Sequence, residues 1–202
     1  MNLYGIVVAA GRGERFGGPK AIVLLGGVPL WVRAVESLRE AGARTVVVVG
    51  DVPGGIPGGI RRRDSVATGL AALPSDATHV LVHDAARPLA SAALGRVVVA
   101  RLELGDVEGV VPGIPVADTL KEVEGERIVT TVSRSGLIAV QTPQGFVIDA
   151  LREAHRADDT DATDDAQLVE RNGGTVVFVP GESSNLKITR PEDLAVAEAW
   201  LP

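Results

Sequence analysis

The residues best suited to chemistry stand in a glycine-rich segment near the start of the chain. Residues 9–20 read Ala-Ala-Gly-Arg-Gly-Glu-Arg-Phe-Gly-Gly-Pro-Lys, and they follow an apolar run, 4–8, that predicts a buried strand. Glycines let backbone N–H groups approach phosphate oxygens, and Arg15 and Lys20 would neutralise charge that those amides cannot. The segment therefore predicts a triphosphate-binding loop, although a tight strand-to-helix turn without a ligand also uses glycines.

Two well-known phosphate-binding loops do not match this segment. The dinucleotide fingerprint needs a third glycine at the position that Phe16 occupies. The P-loop needs Gly-Lys-Ser/Thr, but Pro19 precedes Lys20 and Ala21 follows it. Neither a dinucleotide fold nor a P-loop NTPase is therefore expected.

Length and composition limit the possible classes of protein. A chain of 202 residues fits one α/β domain, and its 20 basic and 26 acidic residues give a net charge of −6, which argues against a nucleic-acid partner. The chain has no cysteine, which excludes disulfides and thiolate metal ligands. No segment resembles a signal peptide and no apolar run reaches membrane-spanning length, so we expect a cytoplasmic protein without a membrane partner.

Two charged runs have a simple structural interpretation. The basic run 61–63 is expected to be a solvated helix entry, and Asp64 or Ser65 could cap the helix that follows. The acidic run 158–165 lacks the spaced ligands of a calcium loop and is expected to be a solvated loop whose last Asp or Thr caps a helix. Neither run is predicted to be a binding site.

Lysine usage singles out individual positions. The chain has only three lysines, Lys20, Lys121 and Lys187, against 17 arginines. A lysine is a compact point charge that arginine cannot always replace beside a crowded phosphate. We therefore expect functional roles for Lys20 and Lys187, and leave Lys121 open.

The chemistry-bearing segments stand between alternating strands and helices. Apolar runs predict strands at 6–9, 45–49, 79–82, 109–111 and 175–179, and amphipathic runs predict helices at 30–40, 64–73, 92–104, 148–157, 164–172 and 191–200. Continuous apolar strands separated by helices predict one Rossmann-like α/β domain, 1–202, with a mostly parallel twisted sheet and helices on both faces. The polar segments after the first three strands should then meet at one edge of the sheet.

One stretch departs from this alternation. Two β-prone runs, 118–123 and 127–132, flank the turn residues Glu124-Gly125-Glu126 and predict a hairpin, which we call the β-arm, about 115–134. A lone hairpin has little core of its own, so the β-arm should lie across another element or a second subunit.

Six ordered motifs resemble a known family. The glycine-rich segment resembles nucleotidyltransferases that activate sugar and polyol phosphates, and His-Asp-Ala-Ala-Arg-Pro at 83–88 narrows this to polyol-phosphate cytidylyltransferases. The segments 115–121, 131–134, 141–144 and 186–193 resemble the branch that acts on 2-C-methyl-D-erythritol 4-phosphate, and ribitol 5-phosphate is the alternative substrate. The resemblance implies transfer of the cytidylyl group of CTP to that polyol phosphate, release of pyrophosphate, and a Mg²⁺ ion on the triphosphate.

The resemblance also implies roles for individual residues. Arg15 and Lys20 would stabilise the transition state, and Arg134 and Lys187 would hold the polyol phosphate. Contacts to the nucleotide are implied for Ala9, Ala10, Gly11, Gly13, Gly59, Ser65, Asp84 and Ala85, where Gly59 and Ser65 read the cytosine. Contacts to the second substrate are implied for Asp84, Arg87, Thr119, Arg134, Thr142 and Lys187, and Asp84 is the implied metal ligand. His83 is expected to be a packed neighbour of Asp84 rather than a base.

The family's β-arm embraces a second subunit, so the resemblance implies a homodimer in which Thr119 and Arg134 enter the neighbour's pocket. The chain departs from the family pattern at three places. Ala21 and Ile22 follow Pro-Lys where the family usually has Gln and an aromatic residue, and Ile60 stands where an acidic residue is common. The first two changes affect packing under the loop, whereas Ile60 would remove a side-chain contact to cytosine.

Overall fold

A seven-stranded sheet forms the centre of the computed structural model, which describes residues 1–201. The strands of residues 1–201, within this sheet and outside it, are β1 (Leu3–Val8), β2 (Leu24–Leu25), β3 (Val28–Pro29), β4 (Val46–Val49), β5 (His79–Asp84), β6 (Gly109–Pro115), β7 (Leu120–Glu124), β8 (Arg127–Val132), β9 (Ile138–Val140), β10 (Gln144–Val147) and β11 (Val176–Pro180). β2 pairs with β3, and β7 pairs with β8, in two separate two-stranded sheets. The central sheet has the order β11-β6-β10-β5-β1-β4, and β9 also pairs with β6.

Helices cover both faces of this sheet. They are α1 (Leu30–Glu40), α2 (Arg62–Ala72), α3 (Ala92–Leu102), α4 (Ile148–Ala157), α5 (Asp165–Arg171) and α6 (Pro191–Ala199). Neighbouring residues of β1 point to opposite faces, so Ile6 packs with α2, α4 and α5 while Val7 packs with α1 and α3. No helix within residues 1–201 combines the length and the hydrophobicity that crossing a bilayer requires.

The prediction of a mostly parallel sheet is confirmed, with one local difference. β1 pairs in parallel with β4 and β5, and β11 pairs in parallel with β6. β10 is antiparallel to both β5 and β6, and β9 is antiparallel to β6. β9 and β10 were not predicted from the sequence because runs of three and four residues carry little periodicity.

The predicted helices at 30–40 and 148–157 have the bounds of α1 and α4. The predicted cap of α2 is wrong, since this helix begins at Arg62 and Arg61 is its N-cap. Asp64 occupies the third helical position, where its Oδ2 accepts the Arg61 N–H at 3.0 Å, and Ser65 lies inside the first turn. The capping role of Ser65 is therefore excluded.

The predicted hairpin is confirmed as an antiparallel pair of β7 and β8 with a bulge between Glu122 and Val123. Within residues 1–201 these two strands pair only with each other. The arm exposes four large apolar side chains, those of Val123, Ile128, Val129 and Val132. The β-arm therefore adds almost nothing to the core of its own chain.

Candidate active site

A cleft of about 230 Å³ opens at the carboxyl ends of β1 and β5. Its walls are the loop after β1, the first turn of α2, the turn after β5 and the segment before α6. The predicted site residues that line it are Ala9, Gly11, Arg15, Lys20, Gly59, Ser65, Asp84, Ala85 and Lys187. Because parallel strands end at the same edge of a sheet, the predicted meeting of the polar segments is confirmed.

The glycine-rich loop closes on itself through backbone hydrogen bonds. The N–H groups of Phe16 and Gly17 donate to the Gly13 carbonyl at 2.8 and 2.9 Å. Gly13 has φ +64°, and a Cβ there would lie 1.8 Å from the Gly18 carbonyl oxygen, so only glycine fits. Among residues 1–201, the amides of Ala10, Gly11 and Gly13 donate to no protein oxygen. The loop thus leaves N–H groups free beside the cleft.

Positive charge is concentrated on one side of the cleft. Lys20 Nζ donates to the Ile188 carbonyl at 2.9 Å, which ties the loop to the segment that carries Lys187. Burial lowers the pKa of Lys20, and repulsion by Lys187 and Arg15 lowers it further. An anion placed among these three cations would relieve that repulsion.

Asp84 is the only carboxylate among the residues that line the cleft. Its Oδ1 accepts from Arg62 Nε at 3.1 Å and its Oδ2 accepts from Lys187 Nζ at 2.7 Å. Burial by itself raises the pKa of Asp84, but the two cations outweigh burial and hold it well below the usual value. Asp84 therefore stays ionised at neutral pH.

Arg62 lines the cleft but was not predicted as a site residue from the sequence. Its Nη1 donates to Oδ2 of Asp165 at 2.7 Å, so one guanidinium bridges two carboxylates.

The two charged runs are not fully solvated. Asp165 is 0% exposed and Arg63 is 5% exposed, so the expectation of solvated runs at 61–63 and 158–165 is wrong for both residues. Asp164 caps α5 through a bond from the Gln167 N–H, so the cap lies one residue before the last aspartate of the run, which was the predicted cap. The opposite charges of the runs 61–63 and 158–165 were the sequence signal that could have indicated the pairing of Arg62 with Asp165.

Two glycines allow the loop after β4 to pack closely, Gly58 against the glycine-rich loop and Gly59 against α2. A Cβ on Gly58 would lie 2.2 Å from the Ala10 Cβ, and one on Gly59 would lie 2.2 Å from the Asp64 Cβ. The hydroxyl of Ser65, which is 1% exposed, accepts the Gly59 N–H at 3.1 Å. Ser65 therefore fixes the backbone of Gly59 at the cleft.

A second, smaller cavity of about 190 Å³ shares Arg62, Asp84 and Lys187 with the cleft, and Arg87 and Thr142 line it too. Both Nη atoms of Arg87 donate to backbone carbonyls, those of Asn185 at 2.7 Å and Val140 at 3.2 Å. This arginine braces the walls of the cavity in addition to lining it.

Thr142 is tied to the residues beneath Asp84. Its hydroxyl oxygen lies 2.7 Å from His83 Nδ1 and accepts the Asp84 N–H at 3.1 Å. His83 is fully buried, and burial lowers its pKa to about 4, so the ring is neutral at pH 7. The interpretation of His83 as a packed neighbour of Asp84 agrees with this geometry.

Thr119 and Arg134 line neither of these two cavities. Arg134 Nη1 donates to the carbonyl of Ala117, within the β-arm. Their predicted role in the pocket of a second subunit stays a prediction.

The residues around the cleft suit a metal ion that phosphate oxygens largely hold. Within residues 1–201, no group of three or more His, Cys, Asp or Glu side chains is arranged to hold a metal. Mg²⁺ keeps several waters and is commonly bound by one or two carboxylates plus substrate phosphates. Asp84, a single ionised carboxylate beside the cationic side of the cleft, fits such a site.

Comparison with known proteins gives one consistent result. The IspD family model, described as 2-C-methyl-D-erythritol 4-phosphate cytidylyltransferase, matches residues 3–202. The protein of that name from Saccharopolyspora erythraea is 47% identical over all of both chains, and that from Frankia casuarinae is 48% identical over 97% of this chain and 80% of its own length. A crystal structure of the Thermus thermophilus enzyme of that name has a TM-score of 0.80 and 39% identity, and it covers 96% of each chain. The chain therefore belongs to the family of 2-C-methyl-D-erythritol 4-phosphate cytidylyltransferases.

Proposed function

We propose that the cleft transfers the cytidylyl group of CTP to 2-C-methyl-D-erythritol 4-phosphate and releases pyrophosphate, a step of non-mevalonate isoprenoid biosynthesis. Family membership over nearly the whole chain supports this activity. The observation that carries the assignment to this cleft is its set of three cations, Arg15, Lys20 and Lys187, beside a glycine-rich loop with free amides.

The chemistry is an in-line displacement at phosphorus. A phosphate oxygen of the polyol phosphate attacks the α-phosphorus of CTP, and the bond from that phosphorus to the bridging oxygen of the β-phosphate breaks. The electron pair of that bond leaves with pyrophosphate. The nucleophile is already anionic, so no general base is required, and the protein contributes alignment and charge neutralisation.

Lys20 and Arg15 would stabilise the charge that develops on the transferring and leaving phosphates. They stand on the glycine-rich loop, where the amides of Ala10, Gly11 and Gly13 supply further donors. Repulsion from Lys187 and Arg15 acts on Lys20 before any anion binds. Binding of the triphosphate would remove this repulsion, which favours a negatively charged ligand here.

The nucleobase would lie on the other side of the cleft, against Gly59 and Ser65. The hydroxyl of Ser65 already holds Gly59, so it acts through the backbone as well as directly. Ile60 is 94% exposed and stands where an acidic residue is common in the family. We therefore assign recognition of cytosine to the backbone near Gly59 and the Ser65 hydroxyl, without a side-chain contact from position 60.

The polyol phosphate would bind beside Lys187 and Asp84, with Arg87 and Thr142 in the adjoining cavity. Lys187 would grip the phosphate, and Asp84 would contact the ribose and the polyol. Thr119 and Arg134 would come from the β-arm of a second copy in a homodimer. The exposed apolar side chains of the β-arm support this assembly.

Mg²⁺ would be held by the triphosphate with Asp84 as its protein ligand. The ion would neutralise phosphate charge and orient the triphosphate. We further propose a cytoplasmic location, because CTP is an intracellular metabolite.

A substrate-panel assay of pyrophosphate release tests the function. CTP, Mg²⁺ and methylerythritol phosphate should give rapid release, whereas ribitol 5-phosphate, or UTP and GTP in place of CTP, should give far less. The ribitol alternative is not favoured, since the family and the relatives described above carry the methylerythritol phosphate name. Absence of pyrophosphate release with the first mixture would reject the proposal.

A further inference from the structure

A row of ionisable side chains, in which cations alternate with carboxylates and a histidine stands last, runs from the cleft into the protein. Lys187 Nζ lies 2.7 Å from Asp84 Oδ2, and Asp84 Oδ1 lies 3.1 Å from Arg62 Nε. Arg62 Nη1 lies 2.7 Å from Asp165 Oδ2, and Asp165 Oδ1 lies 3.1 Å from His155 Nε2. These residues belong to four helices or strands and to the segment before α6, so the row joins parts of the fold that are distant in sequence.

Arg62 occupies the centre of this row because of its shape. Its fork presents two donors in fixed directions, and they reach two carboxylates at once. A single ammonium group has no such fixed geometry. Arg62 therefore sets the orientation of Asp84 relative to Asp165, which is fully buried at the start of α5.

The neighbouring arginine provides a direct comparison. Arg61 pairs with Asp159 at 2.7 Å, the same distance as that between Arg62 and Asp165. The Asp159 side chain is 92% exposed, whereas that of Asp165 is 0% exposed. Exposed pairs contribute little, while breaking a buried pair leaves an uncompensated charge. Two adjacent arginines thus make pairs of the same kind with very different consequences.

We propose that Arg62 is a positioning residue for cytidylyl transfer and that Asp165 is its anchor. Asp165 fixes the position of the Arg62 guanidinium. The guanidinium in turn fixes Oδ1 of Asp84 and partly neutralises the negative charge of the Asp84 carboxylate. Asp84 then competes less strongly with the incoming phosphate for the Lys187 ammonium. The proposal rests on the role proposed above for Lys187 as the group that grips the polyol phosphate.

Asp165→Asn is the sharpest test, because Asp165 lines neither cavity and cannot touch a substrate. The change keeps the size of the side chain and removes its charge. We expect KM for methylerythritol phosphate to rise about 10-fold, the scale of one hydrogen bond to a charged group. The dissociation constant of CTP, measured by calorimetry without the second substrate, should change by less than about 2-fold.

Arg62→Lys is the second variant and decides the question if Asp165→Asn does not fold. It keeps the positive charge but loses the fork, so KM for the polyol phosphate should again rise about 10-fold. Asp159→Asn is the matched control and should leave KM for methylerythritol phosphate and the dissociation constant of CTP unchanged. A purely structural role would instead lower the melting temperature and leave KM unaltered.

Two further measurements distinguish failure of this proposal from failure of the proposed function. Wild-type release of pyrophosphate tests the function itself, and Lys187→Met tests the premise, with a raised KM for the polyol phosphate expected. If wild type turns over and Lys187→Met behaves as expected, an unchanged KM in Asp165→Asn and Arg62→Lys overturns the proposal alone. An unchanged KM in Lys187→Met removes the premise and overturns it as well.

Discussion

The cleft and the β-arm differ in how their charged and apolar groups find partners. At the cleft, Asp84 bonds two cations from separate elements of the same chain, and Asp165 is buried beneath them. In the β-arm, two strands pair only with each other within residues 1–201, and apolar side chains such as Ile128 face outward.

This difference separates the functions that one chain can carry out alone from those for which a second copy is proposed. Asp84 and Asp165 are buried, so each needs a cationic partner, since an unpaired buried charge is costly. Within residues 1–201 the arm has no comparable partner, and we propose that Thr119 and Arg134 contribute to catalysis in a second copy. Four experiments test this contrast, beginning with the largest effect.

Lys20→Ala should abolish most of the activity while the protein remains folded. Removing one donor that stabilises developing negative charge costs about 100-fold to 1000-fold in kcat, and we expect a loss in this range for Lys20→Ala. Pyrophosphate release and circular dichroism together measure the effect. Arg12→Ala, an exposed change in the same loop outside the cleft lining, is the control. Undiminished turnover in Lys20→Ala would refute the role of this lysine.

Acid should destabilise the region beneath the cleft through His83. Its pKa is lowered from 6.5 to about 4, so the neutral ring stabilises the fold above pH 6.5, and this contribution is lost as pH falls towards 4. The shift corresponds to about 3 kcal/mol at pH 4, at about 1.4 kcal/mol per pH unit. Denaturant unfolding at several pH values should show that His83→Gln loses about that much less than wild type over this range. Equal pH dependence in the two proteins would contradict the assignment.

Arg134→Ala should lower activity about 10-fold to 100-fold if the β-arm acts in a second copy, since an arginine contact to phosphate is removed. Mixing it with Lys20→Ala gives the decisive measurement. Half of the dimers would then be mixed, and each would have one intact site, so about one quarter of wild-type activity should return after subunit exchange. Arg134 acting within its own chain would give no recovery.

Ile128→Asp should have the smallest effect on the isolated chain and act mainly on assembly. A charge on the exposed face of the β-arm disfavours burial of that face against a second copy. Sedimentation should show a dimer for wild type and a larger monomer fraction for the variant. Val97→Asp, at an exposed position on α3, is the matched control and should remain dimeric. A monomeric wild type at working concentration would remove the basis for a role of the arm in a second copy.

Local patterns in the sequence were sufficient for much of the architecture. The helices α1 and α4 have the predicted bounds because amphipathic periodicity and flanking residues are local properties. The hairpin was predicted for the same reason, since its turn residues stand between two β-prone runs. The parallel-strand argument placed the segments that carry Lys20, Ser65 and Asp84 at one edge of the sheet, whereas the family resemblance assigned Lys187 to the same site.

Only the tertiary structure decided which charges are buried together. Arg62 meets Asp84 across 22 residues and Asp165 across 103 residues, and no local pattern encodes either contact. In the sequence, 61–63 is one basic run, yet Arg61 pairs with an exposed aspartate and Arg62 with a buried one. The value of an ion pair depends on its burial and geometry, and packing of distant elements determines both.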